Sequence, residues 1–294
     1  MTSFYGILAS GNLGLICIKQ ISKVARIAFV LTDKESSSII NFCDQNELPL
    51  FIGNPRNGKA NFFLKDYQVD VLLSINYLFI IEKDIIDLPK KYAINFHGSL
   101  LPKYRGRTPH VWAIINNETE TGITAHIISE GCDEGDIVYQ EKIKIDSHST
   151  GADILNKYVD IYPSIILKVM KDIEADNITL TKQDPLKATW FHKRTPEDGE
   201  INWNWQKERI FNWVRALAKP YPGAFSYYEN CKIAIHNIAY SDYCFNAKEE
   251  NGKILAINNS SIIVKTVNGA IELLHIEAGE NINFKIGDIF HGRN

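Results

Sequence analysis

Short apolar runs alternate with amphipathic segments along the first half of this 294-residue chain. The runs have the length and composition of buried strands, and the segments between them repeat apolar residues at helical spacing. The predicted strands are residues 4–8, 26–31, 48–52, 69–75 and a short run at Ala93-Ile94. Such alternation is typical of βαβ units. The pattern therefore predicts an α/β, Rossmann-like fold with a mostly parallel sheet covered on both faces.

Helical periodicity follows most of these strands. One predicted helix ends at Ile21, and the others are residues 36–47, 59–67 and 150–175. Two further extended runs are residues 121–129 and 137–145. Thr108-Pro109 begins another predicted helix, with Thr108 as its N-cap and Pro109 in its first turn.

The pattern changes after Asp184-Pro185, where charged, aromatic and turn-forming residues become frequent. A predicted helix at 208–217 is followed by short strands with turns between them. Of these turns, Asn268-Gly269 fits a tight hairpin. We therefore predict a Rossmann-like domain at 1–185, a linker at 186–205 and a smaller C-terminal β-barrel-like domain at 206–294.

The charge argues against polyanionic partners, and the cysteines indicate a protein of the cytoplasm. A formal net charge of -3 gives no global attraction to nucleic acid or to an acidic membrane surface. The five cysteines are scattered without CxxC or zinc-ligand spacing, which predicts reduced thiols and no metal site. The apolar beginning lacks a basic region, so we do not expect a signal peptide, and no apolar run approaches the length of a membrane span.

The stretch YAINFHGSLLPKYRGRTPHVW, residues 92–112, carries the candidate chemistry. Its predicted strand ends at Asn95 and His97, whose side chains point to the same side. Ligands of open α/β sheets bind outside the carboxyl ends of strands, which is where these two residues lie. Taken alone, such a pair is more often two satisfied polar groups than a catalytic pair.

The run Asn-x-His-x-Ser-Leu-Leu-Pro-x-Tyr-Arg-Gly-Arg that begins at Asn95 resembles the signature of formyltransferases that use formyl-tetrahydrofolate. Downstream, Asp133-x-Gly135-x-Ile137 matches the Asp-x-Gly-x-Ile element of that family. The resemblance extends from about residue 4 to at least 225. It implies that Asn95, His97 and Asp133 are catalytic.

The resemblance also implies that N10-formyltetrahydrofolate is the formyl donor. The family holds the folate mainly through backbone groups, with some apolar contact. The implied folate-binding residues are Ser74, Asn76, Tyr77, Leu78, Phe79, Gly131 and Gly135. We expect Gly135 to let the backbone turn tightly beside the ligand.

Formyl transfer to an amine develops negative charge on the formyl oxygen, and fixed hydrogen-bond donors stabilise that charge. Asn95 and His97 can both donate, His97 most strongly as an imidazolium. We expect Asp133 to hold His97 in the charged form and to receive the proton of the amine. His126, in an apolar extended run, is interpreted as a hydrogen-bonded core histidine.

Two further motifs indicate the acceptor. The pairing of Arg-Thr-Pro-x-Asp-Gly, from Arg194, with Pro-Tyr-Pro-Gly-Ala-Phe, from Pro220, resembles the nucleotide-sugar branch of the family. That branch formylates amino groups of 4-amino-4-deoxy sugars, such as dTDP-4-amino-4,6-dideoxyglucose for O-antigen and other surface polysaccharides. The predicted substrate-binding residues are Ser99, Arg105, Arg107, Lys193, Arg194, Tyr221 and Phe225. Exposed edges in the β-rich domain also favour a homodimer.

Methionyl-tRNA formyltransferase is the first alternative, because it would share the same catalytic chemistry. The loop at 33–38 has a single Lys, however, and residues 231–294 contain six basic and seven acidic side chains. Neither segment offers the positive surface that a polyanion needs.

An NAD-dependent dehydrogenase is the second alternative. Ala9-x-Gly11-x-x-Gly14, with Asp33 about twenty residues further on, resembles a dinucleotide fingerprint. Nothing downstream suggests hydride transfer, however. A non-enzymatic ligand binder is the third alternative, and the intact set of Asn95, His97 and Asp133 argues against it.

Overall fold

The computed structural model describes residues 3–279 and 282–292. The chain divides into two compact units, neither of which is continuous in sequence. Unit 1 comprises Met1–Gly106, Thr121–Ile143 and Asn156–Phe191, and unit 2 comprises Arg107–Glu120, Lys144–Leu155 and His192–Asn294. The division of the sequence at residues 185 and 205 remains a prediction.

Helices and strands alternate through unit 1, and strands dominate the later part of the chain. The helices are α1 (Gly11–Ile21), α2 (Ser37–Gln45), α3 (Asn61–Leu64), α4 (Lys83–Ile86), α5 (Pro109–Ile115), α6 (Gly151–Glu174) and α7 (Lys207–Ala216). The strands are β1 (Phe4–Ala9), β2 (Arg26–Thr32), β3 (Leu50–Ile52), β4 (Val71–Ile75), β5 (Tyr92–His97), β6 (Arg105–Gly106), β7 (Glu120–Ile127), β8 (Ile137–Lys144), β9 (Trp190–Phe191), β10 (Ala224–Tyr228), β11 (Cys231–Ser241), β12 (Ile254–Ile257), β13 (Ile262–Thr266) and β14 (Gly269–Glu277).

The large sheet of unit 1 has the strand order β3-β2-β1-β4-β5-β7-β8. Strands β1 to β5 pair in parallel, and β7 runs antiparallel to β5. The central strands are apolar along their length: Ile7, Leu8, Leu72 and Leu73 are fully buried. Each such side chain contributes about 1.5–3 kcal/mol to folding, which accounts for the position of β1 and β4 in the middle of the sheet. The predicted mostly parallel α/β fold is confirmed.

The helix predicted at 59–67 is shorter than expected, because only Asn61–Leu64 is helical. The chain leaves the helix in a turn in which Tyr67 N–H donates to the Leu64 carbonyl. This turn places the rings of Phe63 and Tyr67 edge-on to Phe29, with centroids 6.2 and 5.5 Å away. Aromatic packing on the sheet therefore overrides continuation of the helix.

The C-terminal strands of unit 2 form an antiparallel sheet in the order β10-β11-β14-β13-β12. A segment near the C-terminus bridges both edges, since His291 pairs with Tyr227 of β10 and Ile289 pairs with Lys253 just before β12. This closure agrees with the predicted small β-barrel-like fold. Thr266 pairs with Gly269, so the hairpin turn lies one residue earlier than predicted.

The N-terminus of α5 departs from expectation. Thr108 occupies the N-cap position, but its backbone is left-handed, with φ 49° and ψ 47°, and its side chain makes no capping hydrogen bond. An N-cap side chain reaches the first helical amides from an extended backbone, and the left-handed geometry prevents this. Among the residues that the structure describes, the buried Thr108 Oγ1 has no hydrogen-bond partner.

None of the helices in the described part of the chain is both long and apolar enough to cross a membrane.

Candidate active site

The site in unit 1 is built around the carboxyl end of β5. Asn95 pairs with Ser74 of the parallel strand β4 on one side and with His126 of the antiparallel strand β7 on the other. The Asn95 Nδ2 atom lies 3.1 Å from His126 Nε2. Three polar residues from three neighbouring strands therefore meet at one level of a sheet that is otherwise apolar.

His97 is buried two residues further along β5, with 7% of its surface exposed. Its Nε2 lies 2.8 Å from the carbonyl oxygen of Tyr104. Because a carbonyl can only accept, Nε2 carries the proton, and Nδ1 is the unprotonated nitrogen of the neutral ring. The Nδ1 atom lies 3.6 Å from Oδ2 of Asp133.

Asp133 closes the site from the loop between β7 and β8, where its backbone has a positive φ of 53°. Its Oδ2 accepts the backbone N–H of Gly106 at 2.8 Å, and its Oδ1 lies 3.5 Å from His126 Nε2. Burial raises the pKa of the Asp133 carboxyl, but the protonated forms of His97 and His126, together with the Gly106 N–H, hold it well below its usual range. Asp133 is therefore an ionised, largely buried carboxylate.

The expectation that Asp133 keeps His97 as an imidazolium is wrong. Burial is the largest influence on His97, and it lowers the pKa of the ring. The negative charge of Asp133 and the Tyr104 carbonyl raise the pKa, while His126 lowers it, and the net value falls below the usual range for histidine. His97 is consequently neutral near pH 7, with Nδ1 able to accept a proton.

Sequence reasoning missed the place of His126 in this site. His126 is hydrogen-bonded and buried, as interpreted, with its Nδ1 2.9 Å from the Ile127 carbonyl. Its other nitrogen, however, contacts two of the predicted catalytic residues, Asn95 and Asp133. The only signal in the sequence is a polar residue in an apolar strand, and that signal does not reveal which residue lies opposite.

The loop after β4 lies beside this site and contains most of the predicted folate-binding residues. Ser74, at the end of β4, is buried, and Asn76 has a φ of 51° and donates from Nδ2 to the Ser10 carbonyl at 3.1 Å. The rings of Tyr77 and Phe79 meet edge to face with centroids 5.5 Å apart, and Leu78 is 44% exposed. The loop thus presents apolar side chains next to the strand that carries Asn95.

The two glycines predicted to contact folate have different surroundings. A Cβ on Gly135 would lie 1.9 Å from the Ile127 carbonyl oxygen, so this glycine is needed where the loop passes the backbone of β7. This approach to β7 is a reason for Gly135 that the sequence did not indicate, and its expected place beside a ligand stays a prediction. The three atoms nearest to a Cβ on Gly131 all belong to the end of the flexible Glu134 side chain.

Ser99 and Arg105, two of the predicted substrate-binding residues, belong to unit 1 and have partners inside the protein. Ser99 is buried and donates from Oγ to the Lys103 carbonyl at 2.8 Å. The Arg105 guanidinium donates to Gln183 Oε1 at 2.7 Å from Nη2 and lies over the Trp190 ring, 5.3 Å from its centroid. Both side chains therefore hold the turn that follows β5.

The other five predicted substrate-binding residues, namely Arg107, Lys193, Arg194, Tyr221 and Phe225, belong to unit 2. The two motifs that contain most of them come together there. They line a small pocket of about 90 Å³, bordered by Thr108, Val111, Arg194, Thr195, Pro196, Gly199, Leu217, Tyr221, Pro222 and Gly223. The Tyr221 hydroxyl is hydrogen-bonded to His110 Nε2, and Phe225 is buried at the start of the C-terminal sheet.

Arg194 is fixed within unit 2 by aromatic rings. Its guanidinium lies 4.9 Å from the ring centroid of Trp112 and 4.3 Å from that of Trp213. Its Nη2 also donates to the Asp198 carbonyl. The neighbouring Lys193 is exposed. The turn therefore presents one anchored and one solvated cation.

Comparison with known proteins identifies the family. The formyl transferase model matches residues 18–170, and the model of the formyl transferase C-terminal domain matches residues 193–294. The chain belongs to the formyl transferase family.

Among curated relatives, the bifunctional polymyxin resistance protein ArnA of Wigglesworthia glossinidia brevipalpis is 34% identical over 279 residues. That alignment covers 92% of this chain but 42% of the relative, so the chain spans less than half the length of ArnA. A methionyl-tRNA formyltransferase of Clostridium acetobutylicum is 32% identical over 231 residues, which are 79% of this chain and 74% of the relative.

Solved structures share the fold at lower identity. WlaRD, a sugar 3N-formyl transferase crystallised in the presence of dTDP and 5-N-formyl-THF, superposes with a TM-score of 0.73 at 20% identity, covering 96% of this chain and all of that one. An N-formyltransferase of Helicobacter canadensis in complex with folinic acid and dTDP-3-aminofucose gives 0.72 at 18% identity, with 93% and 99% covered.

The protein is therefore a formyl-transferring enzyme. The dehydrogenase alternative is set aside. In agreement with this, both carboxylate oxygens of Asp33 serve their own loop, because they accept Ser36 Oγ–H at 2.6 Å and Glu35 N–H at 2.9 Å. An acidic residue that grips a ribose would need those oxygens for its ligand.

The residues near Asn95 fit a folate. Its flat ring system needs apolar contact on its faces and polar groups at its edges. The loop after β4 offers the half-exposed Leu78 and the Tyr77–Phe79 ring pair. Within the described residues, the buried hydroxyl of Tyr77 also lacks a hydrogen-bond partner.

Proposed function

We propose that the chain transfers the formyl group of N10-formyltetrahydrofolate to the amino group of a nucleotide-linked amino-deoxy sugar, such as dTDP-4-amino-4,6-dideoxyglucose. The observation that supports this most directly is the pocket in unit 2. There the Arg194 turn and the Tyr221 turn line one space. Two proteins of the same fold are named as sugar or N-formyltransferases and were crystallised with dTDP or a dTDP-sugar.

In this proposal Asn95 stabilises the charge that develops on the formyl oxygen. Its carboxamide has two N–H groups, and one of them is engaged by His126. The second N–H remains to donate to the formyl oxygen. A donor held in place before the reaction stabilises the transition state without a cost of reorganisation.

His97 acts as the base in the proposed mechanism. The amine nitrogen forms a bond to the formyl carbon and gives up a proton to Nδ1 of the neutral His97. The bond between that carbon and N10 of the folate breaks, and tetrahydrofolate leaves once its N10 has taken a proton from the charged His97 ring. Asp133, 3.6 Å from Nδ1, stabilises the imidazolium that results. Asp133 Oδ2 already accepts the Gly106 N–H, which stabilises the ionised form of this carboxylate. We therefore assign the proton to His97 rather than to Asp133.

The bound folate supplies the activated formyl group. We propose that Ser74, Asn76, Tyr77, Leu78 and Phe79 hold its ring system, together with the backbone at Gly131 and Gly135. These residues flank the strands that position Asn95 and Asp133.

For the acceptor, we propose that Lys193 and Arg107 contact the phosphates and that Tyr221 contacts the sugar or base. Arg194, Phe225, Ser99 and Arg105 have extensive contacts within the protein. We propose that they shape the binding surface. We further propose that the enzyme works as a homodimer in the cytoplasm and serves O-antigen or related surface polysaccharide synthesis.

Methionyl-tRNA is the second candidate acceptor, because two methionyl-tRNA formyltransferases are 32% and 34% identical to this chain. Charge argues against it. Residues 231–294 contain six basic and seven acidic side chains, and a surface for tRNA phosphates requires a positive excess.

A product assay by mass spectrometry tests the proposal. The enzyme and N10-formyltetrahydrofolate are incubated with aminated dTDP-, UDP- and GDP-sugars carrying the amine at C3 or C4, and with methionyl-tRNA. We expect a gain of one formyl group on a nucleotide sugar, with the dTDP-4-amino sugar turned over fastest. Formylation of methionyl-tRNA alone would transfer the assignment to the second candidate.

A further inference from the structure

His126 contacts both Asn95 and Asp133, yet it belongs to neither sequence motif. It is 3% exposed and lies directly opposite Asn95 in the antiparallel pair of β5 and β7. One ring nitrogen is 2.9 Å from the Ile127 carbonyl, and the other is 3.1 Å from Asn95 Nδ2. A histidine packed only for stability has no need to contact two reactive side chains.

The hydrogen bonds define the tautomer of His126. The Ile127 carbonyl can only accept, so Nδ1 carries the proton. In the neutral ring Nε2 is then an acceptor. The NH₂ end of the Asn95 carboxamide must therefore face it, because the oxygen end cannot donate. This contact decides which way the Asn95 carboxamide faces. The hydrogen bond to His126 therefore gives a chemical reason for the orientation of the Asn95 carboxamide, whose oxygen and nitrogen are similar in shape.

We propose that His126 is a positioning residue for formyl transfer. It accepts a hydrogen bond from the Asn95 carboxamide and thereby fixes the position of the second Asn95 N–H. The inference rests on the proposed role of Asn95 as donor to the formyl oxygen. Without an acceptor at this point, the Asn95 carboxamide can rotate and present its oxygen, which repels developing negative charge.

Protonation of His126 would have the same effect as its removal. A cationic ring donates from both nitrogens, so Nε2 could no longer accept from Asn95. Its new N–H would be attracted to the oxygen of a rotated Asn95 or to Asp133 Oδ1, which lies 3.5 Å away. The charged groups that face His126 are Asp133 and, when protonated, His97. The site therefore requires His126 neutral for the donor to be in place.

Substitutions separate this role from simple packing. His126→Leu removes the acceptor, and His126→Gln keeps an amide oxygen that can accept from Asn95. We expect the Leu variant to lose about tenfold or more in kcat, the Gln variant to recover most of that loss, and KM for N10-formyltetrahydrofolate to stay within about twofold. The assay uses dTDP-4-amino-4,6-dideoxyglucose, or whichever acceptor the panel selects.

Thr121→Val is the matched control for burial on the same strand. Thr121 is buried in β7 and its hydroxyl lies 3.4 Å from Tyr158 Oη, with no contact to Asn95 or Asp133 among the described residues. This variant loses a buried polar contact as well, and we expect it to keep the wild-type kcat. An equal fall in kcat for His126→Gln and His126→Leu would overturn the proposal.

A double-mutant cycle tests whether His126 acts through Asn95. We expect His126→Leu to cost less than about twofold in an Asn95→Ala background, because the group that it positions is already absent. If Asn95→Ala alone keeps its rate, the proposed catalytic site is wrong. If Asn95→Ala loses its rate but the two effects multiply, only the role of His126 is wrong.

A ¹⁵N NMR spectrum of histidine-labelled enzyme gives a test that needs no substrate. We expect His126 to show the Nδ1–H tautomer and His97 the Nε2–H tautomer at pH 7, with assignments made from the spectra of the single variants. An Nε2–H tautomer for His126 would be incompatible with a hydrogen bond from Asn95, and the proposal would fail.

Discussion

The carboxylate of Asp133 accepts the backbone N–H of Gly106, with 2.8 Å between Oδ2 and N. This hydrogen bond joins the two motifs that the family shares, 27 residues apart in sequence. Gly106 has a φ of 99°, and a Cβ there would lie 2.2 Å from the Phe191 carbonyl oxygen. Gly106 therefore lets its own segment approach those of Phe191 and Asp133 closely. This approach places Asp133 beside His97.

Gly106→Ala should be strongly destabilising. The positive φ costs about 1–2 kcal/mol for an L-residue, and the clash with Phe191 adds about 1–3 kcal/mol. Chemical denaturation monitored by circular dichroism measures the loss. Gly53→Ala is the matched control, because Gly53 also has a positive φ, 120°, but no atom within 4 Å of a Cβ. Equal losses of stability in the two variants would show that the close approach of Gly106 to the Phe191 carbonyl contributes nothing.

Asn95→Ala and His97→Ala should remove most turnover. Loss of one donor to a developing oxyanion costs about 10²–10³-fold in kcat, and loss of a general base costs about 10²–10⁴-fold. Steady-state kinetics and a thermal melt of each variant separate catalysis from folding. Asn41→Ala, on the exposed face of α2, is the control and should leave kcat unchanged. Near-normal rates in either site variant would refute the assignment.

His97 should titrate below pH 6.5, because burial outweighs the attraction of Asp133. In the proposed mechanism the neutral ring is the base, so kcat/KM should fall as the pH drops through this pKa. Removing the negative charge in Asp133→Asn should lower the pKa of His97 further, since the charge favours the imidazolium. An NMR titration of the His97 ring measures both midpoints.

Asp184→Asn, an exposed carboxylate that caps a short turn, is the control for that titration. It should leave the His97 midpoint where it is. A wild-type midpoint above 6.5, or an upward shift in Asp133→Asn, contradicts the proposed electrostatics.

Asp133 should also contribute to the acid stability of the fold. Its pKa in the folded protein lies well below that of an unfolded Asp, so its contribution is present above about pH 4 and is lost as the pH falls through the lower, folded value. We expect the stability difference between wild type and Asp133→Asn to shrink as the pH is lowered below 4. Urea denaturation at pH 3 and pH 7 provides the comparison, and a difference that grows at low pH would contradict it.

Arg194→Ala should destabilise unit 2 by about 1–2 kcal/mol, because two cation–π contacts and a hydrogen bond are lost. Lys193→Ala is the matched control from the adjacent position. Lys193 is exposed, and its removal should change stability by less than about 0.5 kcal/mol. If the two variants are equally stable, the packing of Arg194 between Trp112 and Trp213 contributes nothing measurable.

The sequence by itself determined the order of elements and the identity of the three motif residues. Continuous apolar strands with helical segments between them permit few folds other than a covered parallel sheet. Asn95 and His97 lie at a strand end in any such sheet, so their place at the ligand-binding edge followed from the pattern alone.

Only the tertiary structure decided how those residues behave. The antiparallel register of β5 and β7 places His126 opposite Asn95, and burial makes His97 neutral despite the nearby Asp133. The partners of Arg105, such as Gln183, are likewise distant in sequence. The physical reason is that periodicity reports burial along the chain, whereas strand register and desolvation depend on segments that meet only after folding.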